Sequence, residues 1–270
     1  HPDKGRRTFV HPEPRGRTAA HSFSQMQYPM EQTITTDQNV WWGEFDLPAE
    51  DAGRWQVGPT TLWLYRASQE WRLVYTQTQD SMADRAAVDL STPVEQMQQA
   101  VDDESVSTTV DRFPFHRTTE TLSVFPALAD RAVVIRPETP LYLLANESAR
   151  LYVSTPLWME IQVGREPRLL KEIPSFRLSD TWFGPSTREG ELCYAARTSG
   201  RLDLGSLPRR LHRAITPVHI RNRGSDVMLL ERLQLPVQYL SLYQSENRFL
   251  WTQVVTMNRQ EESNRATVRL

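Results

Sequence analysis

The sequence predicts a mostly β protein of the antiparallel sandwich or barrel type, with two β regions joined by a short helical connector. Three observations predict it. Short apolar segments with a period of two fill most of the chain, turn residues separate them about every ten residues, and a single segment has helical signals.

Residues 1–36 read as a polar tail. His1-Pro-Asp-Lys-Gly-Arg-Arg and His11-Pro-Glu-Pro-Arg-Gly-Arg have neither helical nor strand period. Their proline, glycine and charge leave too little apolar surface to offset the entropy of ordering. Residues 37–105 read as the first β region with its connector. Thr61-Leu-Trp-Leu-Tyr-Arg, a turn at Ser68-Gln-Glu and Trp71-Arg-Leu-Val-Tyr-Thr make a hairpin. Trp71, Leu73 and Tyr75 share one face of it, and Arg72, Val74 and Thr76 the other. The helix is expected from about Pro93 to Val101. Thr92 would cap it, Pro93 would take the first helical position, and Glu95 would close a capping box. Asp102-Asp-Glu is poor chemistry for a helix C-terminus and marks the stop. Residues 79–105 therefore read as a link between two β regions.

Residues 106–270 read as the second, sandwich-like region. Thr121-Leu-Ser-Val-Phe, Ala132-Val-Val-Ile and Arg150-Leu-Tyr-Val-Ser are its first strands. Leu157-Trp-Met-Glu-Ile-Gln-Val puts Leu157, Met159, Ile161 and Val163 on a buried face and Trp158, Glu160 and Gln162 on the other. Glu191–Ala196, Ala214–Ile220, Val227–Leu235, Gln238–Tyr243 and Arg248–Met257 each read as one strand, with turns at Asn222-Arg-Gly and Ser245-Glu-Asn. Pro140, Pro156, Pro217 and Pro236 are expected at strand ends, edges or bulges.

Composition removes several function classes. The 31 basic and 33 acidic side chains leave a net charge of −2, so no field drives nucleic-acid binding. Lys4 and Lys171 are the only lysines. Cys193 is the single cysteine, which rules out an internal disulfide and a thiolate zinc cluster. It lies in an apolar strand and is expected to be buried and unreactive. No apolar run approaches the roughly 20 residues of a membrane span, and no signal-peptide core is evident, although the chain begins at His1. A cytoplasmic location is the expectation.

No phosphate loop, dinucleotide fingerprint or nucleophile elbow is present, and no cofactor is expected. His1, His11 and His21 lie in the tail, while His116, His212 and His219 are too scattered to specify a metal site. No catalytic residue is assigned. Asp102-Asp103-Glu104 reads as a solvated run. Glu160 beside Trp158 is how a glycosidase cleft begins, and equally how an ordinary solvent-facing strand looks. The aromatic–arginine pairing is more informative. Trp182 and Phe183 precede Gly184-Pro185, and adjacent side chains of an extended chain point to opposite sides. One ring is then exposed, with Arg177 and Arg188 able to frame it for a partner. The other reading is a corner plug in which both rings fold onto the core. Trp41-Trp42-Gly43 poses the same question.

Several phrases resemble the DUF432 family of archaeal and bacterial proteins. They are Trp42-Gly-Glu-Phe, Gly53-Arg-Trp-Gln-Val-Gly-Pro with Leu62-Trp63, and Glu70-Trp-Arg. Ile215-Thr-Pro-Val-His-Ile with Asn222, and Arg232-Leu-Gln-Leu-Pro-Val, extend the likeness, which covers roughly Trp42 to Met257. The resemblance supplies no catalytic residues. It implies a cytoplasmic protein and, because such genes neighbour small mechanosensitive-type channels, an accessory or regulatory role. The leading expectation is a non-enzymatic β-sandwich interaction module, with a soluble accessory of a membrane channel as its form. The rival is a carbohydrate-active hydrolase using Glu160 and a second carboxylate.

Overall fold

The computed structural model describes residues 40–78, 80, 83–186, 188–259 and 266–269, and the tail expected over residues 1–36 lies outside them. The protein is mostly β, with several antiparallel sheets packed in sandwich fashion and no closed barrel. Among the described residues α1 (Val94–Asp102) is the one α-helix.

β1 (Gly43–Asp46) leaves at once for a second sheet, where it pairs with β7 (Thr121–Ala127). The next strands build the first sheet. β2 (Ala52–Val57), β3 (Thr60–Arg66) and β4 (Glu70–Gln77) form successive hairpins, flanked by β5 (Ala86–Thr92) and β6 (Thr108–Pro114) in the order β5-β2-β3-β4-β6. The β2–β3 loop is Gly58-Pro59, with Val57 opposite Thr60 and a φ of 56° at Gly58. A positive φ followed by proline suits the primed turns that match strand twist.

This sheet is covered on both sides. Trp55, Leu62, Leu64, Trp71 and Leu73 join the main core, while Trp63 and Val74 on the other face pack against Met97 of α1. That is why Val74 is buried although strand alternation placed it opposite Trp71. The expected capping box does not form. Pro93 is the N-cap, and Thr92 Oγ1 donates instead to the Asp89 carbonyl at 3.2 Å. Nor is the segment 79–105 only a link. It contains β5, and β6 beyond residue 105 returns to pair with β4 from Glu70–Pro114 to Thr76–Thr108. The helix crosses one sheet's own face.

The second sheet runs β1-β7-β11-β12, with β11 (Trp158–Val163) and β12 (Arg168–Pro174). Leu157, Met159, Ile161 and Val163 are buried and Glu160 and Gln162 only partly so, in the expected register. Trp158 departs from it. It is buried on the polar face because Tyr194 covers it, ring centroids 5.6 Å apart.

A third sheet orders β13 (Ser179–Phe183), β14 (Glu191–Gly200), β8 (Val133–Pro137) and β17 (Leu233–Leu235). Val133 and Ile135 face the main core and Val134 a smaller cluster with Ala132 and Cys193, so the segment shows no alternation. The largest sheet is centred on β15 (Arg213–Asn222). β10 (Ser148–Pro156) pairs along its whole length, and β19 (Leu250–Thr252) and then β20 (Val255–Arg259) pair in parallel on its other edge. β18 (Leu242–Gln244) and β21 (Ala266–Arg269) close the two ends. Pro217 sits mid-strand, between the Ile215–Trp251 and Val218–Val255 pairs. It lies at the seam where the edge changes partner and a missing N–H costs least.

The remaining pair is a ribbon of β9 (Leu141–Leu143) and β16 (Met228–Leu230). The apolar run from Val227 to Leu235 is thus two strands, β16 and β17, with different partners. Arg248–Met257 likewise divides into β19 and β20, and Val237–Tyr239 is a 3-10 turn rather than strand. One hydrophobic cluster spans Trp41 to Met257 and includes residues from every large sheet.

Candidate functional site

The Trp182 corner has one ring out and one ring in. Trp182 is 43% exposed beside Leu192, its cross-strand neighbour, at 48%. Phe183 turns onto the cluster of Ala132, Val134 and Cys193. Trp182 Nε1 donates to the Ser186 carbonyl at 2.8 Å, so the indole also closes the loop after β13. Gly184 is required there, since a Cβ would stand 2.0 Å from the Glu189 carbonyl. Arg177 and Arg188 are both exposed, but the guanidinium stacked on Phe183, at 5.1 Å, is that of Arg232. Trp41 and Trp42 behave as a plug. Both are buried, edge to face at 5.3 Å, and Trp41 Nε1 donates to the Leu211 carbonyl at 2.9 Å.

Cys193 is buried, and burial followed by the charge of Glu191 raises its thiol pKa, as an inert cysteine requires. Glu160 stands opposite Glu172 on β12 and opposite Phe125 on β7. Gln162 donates to it. Neither carboxylate lines the cavity bordered by Asn146 and Arg221 or the one bordered by Pro137 and Arg201.

His212 sits where the sheets meet. It is fully buried under the β2–β3 turn, and a Cβ on Gly58 would come within 2.8 Å of the ring. Neither ring nitrogen has a hydrogen-bond partner among the described residues. Asp84 Oδ1, 3.8 Å from Nδ1, is beyond hydrogen-bonding distance. Burial, then Arg213 and Arg210, lower the imidazole to about 3, so it is neutral. Burial lowers the adjacent Arg213 to about 10, and that side chain holds the Ser154 carbonyl only at 3.5 Å. Among the described residues no group of three or more His, Cys, Asp or Glu could hold a metal ion.

Two surfaces escaped the sequence reading. The first is the outer face of the β9–β16 ribbon. Tyr142 pairs with Leu229, and Leu144 and Val227 are the residues just beyond the last pair, Leu143–Met228. Tyr142 and Leu229 share one face, and these four large side chains are 71, 46, 60 and 52% exposed, in the order Tyr142, Leu229, Leu144, Val227. The opposite face, with Leu143 buried and Met228 and Leu230 partly so, anchors the ribbon to the main core. Both faces are therefore apolar. The signal was in the sequence as Leu141-Tyr-Leu-Leu, but a run apolar on both faces looks like any buried strand.

The second is a cavity of about 490 Å³ beside the ribbon, lined by Asn146, Glu147, Ser148, His219, Arg221, Asn222 and Arg223. Its floor is Asn222, which is buried and ties the ribbon down. Its Nδ2 donates to the carbonyls of Leu143, Leu144 and Asp226 at 3.0, 3.1 and 2.7 Å, and its Oδ1 accepts from Gly224 N. His219-Ile-Arg221-Asn-Arg223 is the sequence trace of the cavity. On a strand, alternate residues project together. Among the described residues no helix is long and apolar enough to cross a membrane.

A family model described as protein of unknown function (DUF432) matches residues 41–270. No curated protein and no solved structure matches the chain.

Proposed function

The chain belongs to the DUF432 family, and we propose that it is a non-enzymatic interaction module whose contact surface is the outer face of the β9–β16 ribbon. The observation that carries this is the group of Tyr142, Leu229, Leu144 and Val227, 46 to 71% exposed on a ribbon already anchored from behind. Contiguous exposed apolar surface of this kind marks contact sites, because leaving it in water costs about 25 cal/mol per Å². Short cross-strand apolar pairs suit a partner segment that also presents apolar side chains. The family resemblance makes a cytoplasmic flank of a membrane channel the first partner to try, and the Trp182–Leu192 corner is a second contact point.

The test is a photo-reactive residue at Tyr142, in otherwise native protein and in a Leu144→Asp, Leu229→Asp double variant. One discrete crosslinked partner in the first and none in the second, with equal melting temperatures, supports the reading. No partner in either, or the same one in both, sinks it. The alternative hydrolase reading rests on Glu160 facing Glu172 beside Phe125. It requires a glycan-hydrolysing activity that Glu160→Gln abolishes.

A further inference from the structure

We propose that the C-terminal end of β15 carries an anion-binding pocket for a phosphate-sized dianion, formed by His219, Arg221 and Arg223 with Asn146 and Ser148. The strand period builds it. His219 and Arg221 project from one face of the β15 end, Arg223 joins the lining just past it, and the antiparallel partner adds Arg150 opposite His219 and Ser148 opposite Arg221. Asn146, at φ 63°, turns the chain from β9 into β10 and brings its amide to the same rim. Arg150, Arg221 and Arg223 make no ion pair among the described residues. Glu147 is the one carboxylate in the lining, so the pocket holds a surplus of positive charge. Guanidinium groups offer paired N–H donors that match phosphate oxygens, and the hydroxyl and amide supply neutral donors. The cavity, at about 490 Å³, falls within the range of small-molecule sites, so it has room for the phosphate and the group that carries it.

A second feature points the same way. Burial, then Arg221 and Arg150, lower the His219 imidazole, and the two guanidinium contributions to that shift show positive charge directed at the ring. His219 is faced by Arg150 from β10, by Arg221 on its own strand, by Thr256 from β20, and by Glu147 within the pocket. A bound dianion reverses this balance. This inference does not depend on the ribbon contact, since the pocket's donors are complete without it.

The test is titration of the full chain with inorganic phosphate, following the His219 ring by NMR across pH and the heat by calorimetry. Phosphate should bind saturably and raise the His219 pKa by about one unit or more. The Arg221→Ala, Arg223→Ala variant should lose at least about tenfold in affinity, with an unchanged far-UV spectrum. Arg221→Lys, which keeps charge without the paired donors, should fall between the two. Glycerol phosphate and vesicles containing phosphatidic acid then tell whether the phosphate arrives on a soluble molecule or a membrane. Binding to either, lost in the double variant, supports the site. A His219 titration unchanged by phosphate, or equal binding by wild type and double variant, overturns it.

Discussion

Replacing His212 by leucine should change how stability depends on pH more than it changes stability itself. In the folded protein the ring is fully buried, has no hydrogen-bond partner among the described residues, and titrates near 3 instead of 6.5. Between those values the unfolded chain carries a proton on this ring that the folded chain excludes. Stability is therefore complete above the unfolded value and falls as pH drops through the window, with a slope approaching about 1.4 kcal/mol per pH unit. From pH 7.5 to 5 the loss is about 2 kcal/mol, and over the whole window roughly 4–5 kcal/mol. Asp84, whose carboxyl burial raises, acts with the opposite sign and from a half-exposed side chain. The assay is urea unfolding of wild type and His212→Leu at several pH values between those limits. The wild type should lose about 2 kcal/mol relative to the variant from pH 7.5 to 5, while His219 and the carboxylates contribute alike to both and cancel. At neutral pH the variant should be near wild-type stability, because an unpartnered buried polar group is being replaced by an apolar one. Parallel stability curves would refute the reasoning, and would mean that the ring takes up a proton in place.

Three further outcomes are expected. Gly58→Ala should cost at least about 2 kcal/mol, since it combines a φ of 56° with a Cβ 2.8 Å from the His212 ring; a melting temperature equal to wild type would contradict it. Cys193 should react with a thiol reagent at neutral pH only as fast as the protein unfolds, and rapid labelling of the folded form would show the buried environment to be wrong. Trp182→Ala with Arg188→Ala should weaken partner capture and leave the melting temperature nearly unchanged; early unfolding with intact capture would make the corner a plug.

The sequence by itself determined the class of fold and the facing of its regular strands. Leu157, Met159, Ile161 and Val163, and likewise Trp71 and Leu73, keep the expected facing because that side of each strand meets the main core, and period two follows from the backbone alone. Cys193 was legible for the same reason. Only tertiary structure decided which apolar residues would lack cover. Leu143 and Leu144 are alike in sequence, yet one is buried and the other exposed, because β9 pairs with a strand more than eighty residues away and only one face of that ribbon meets the core. It also decided the chemistry of the histidines. His212 and His219 lie on the same segment, but one is sealed under the Gly58 turn while the other opens into a polar cavity that holds Arg221 and Arg223. Local spacing cannot encode that difference, since burial and charge at a site are set by strands that arrive from elsewhere in the chain.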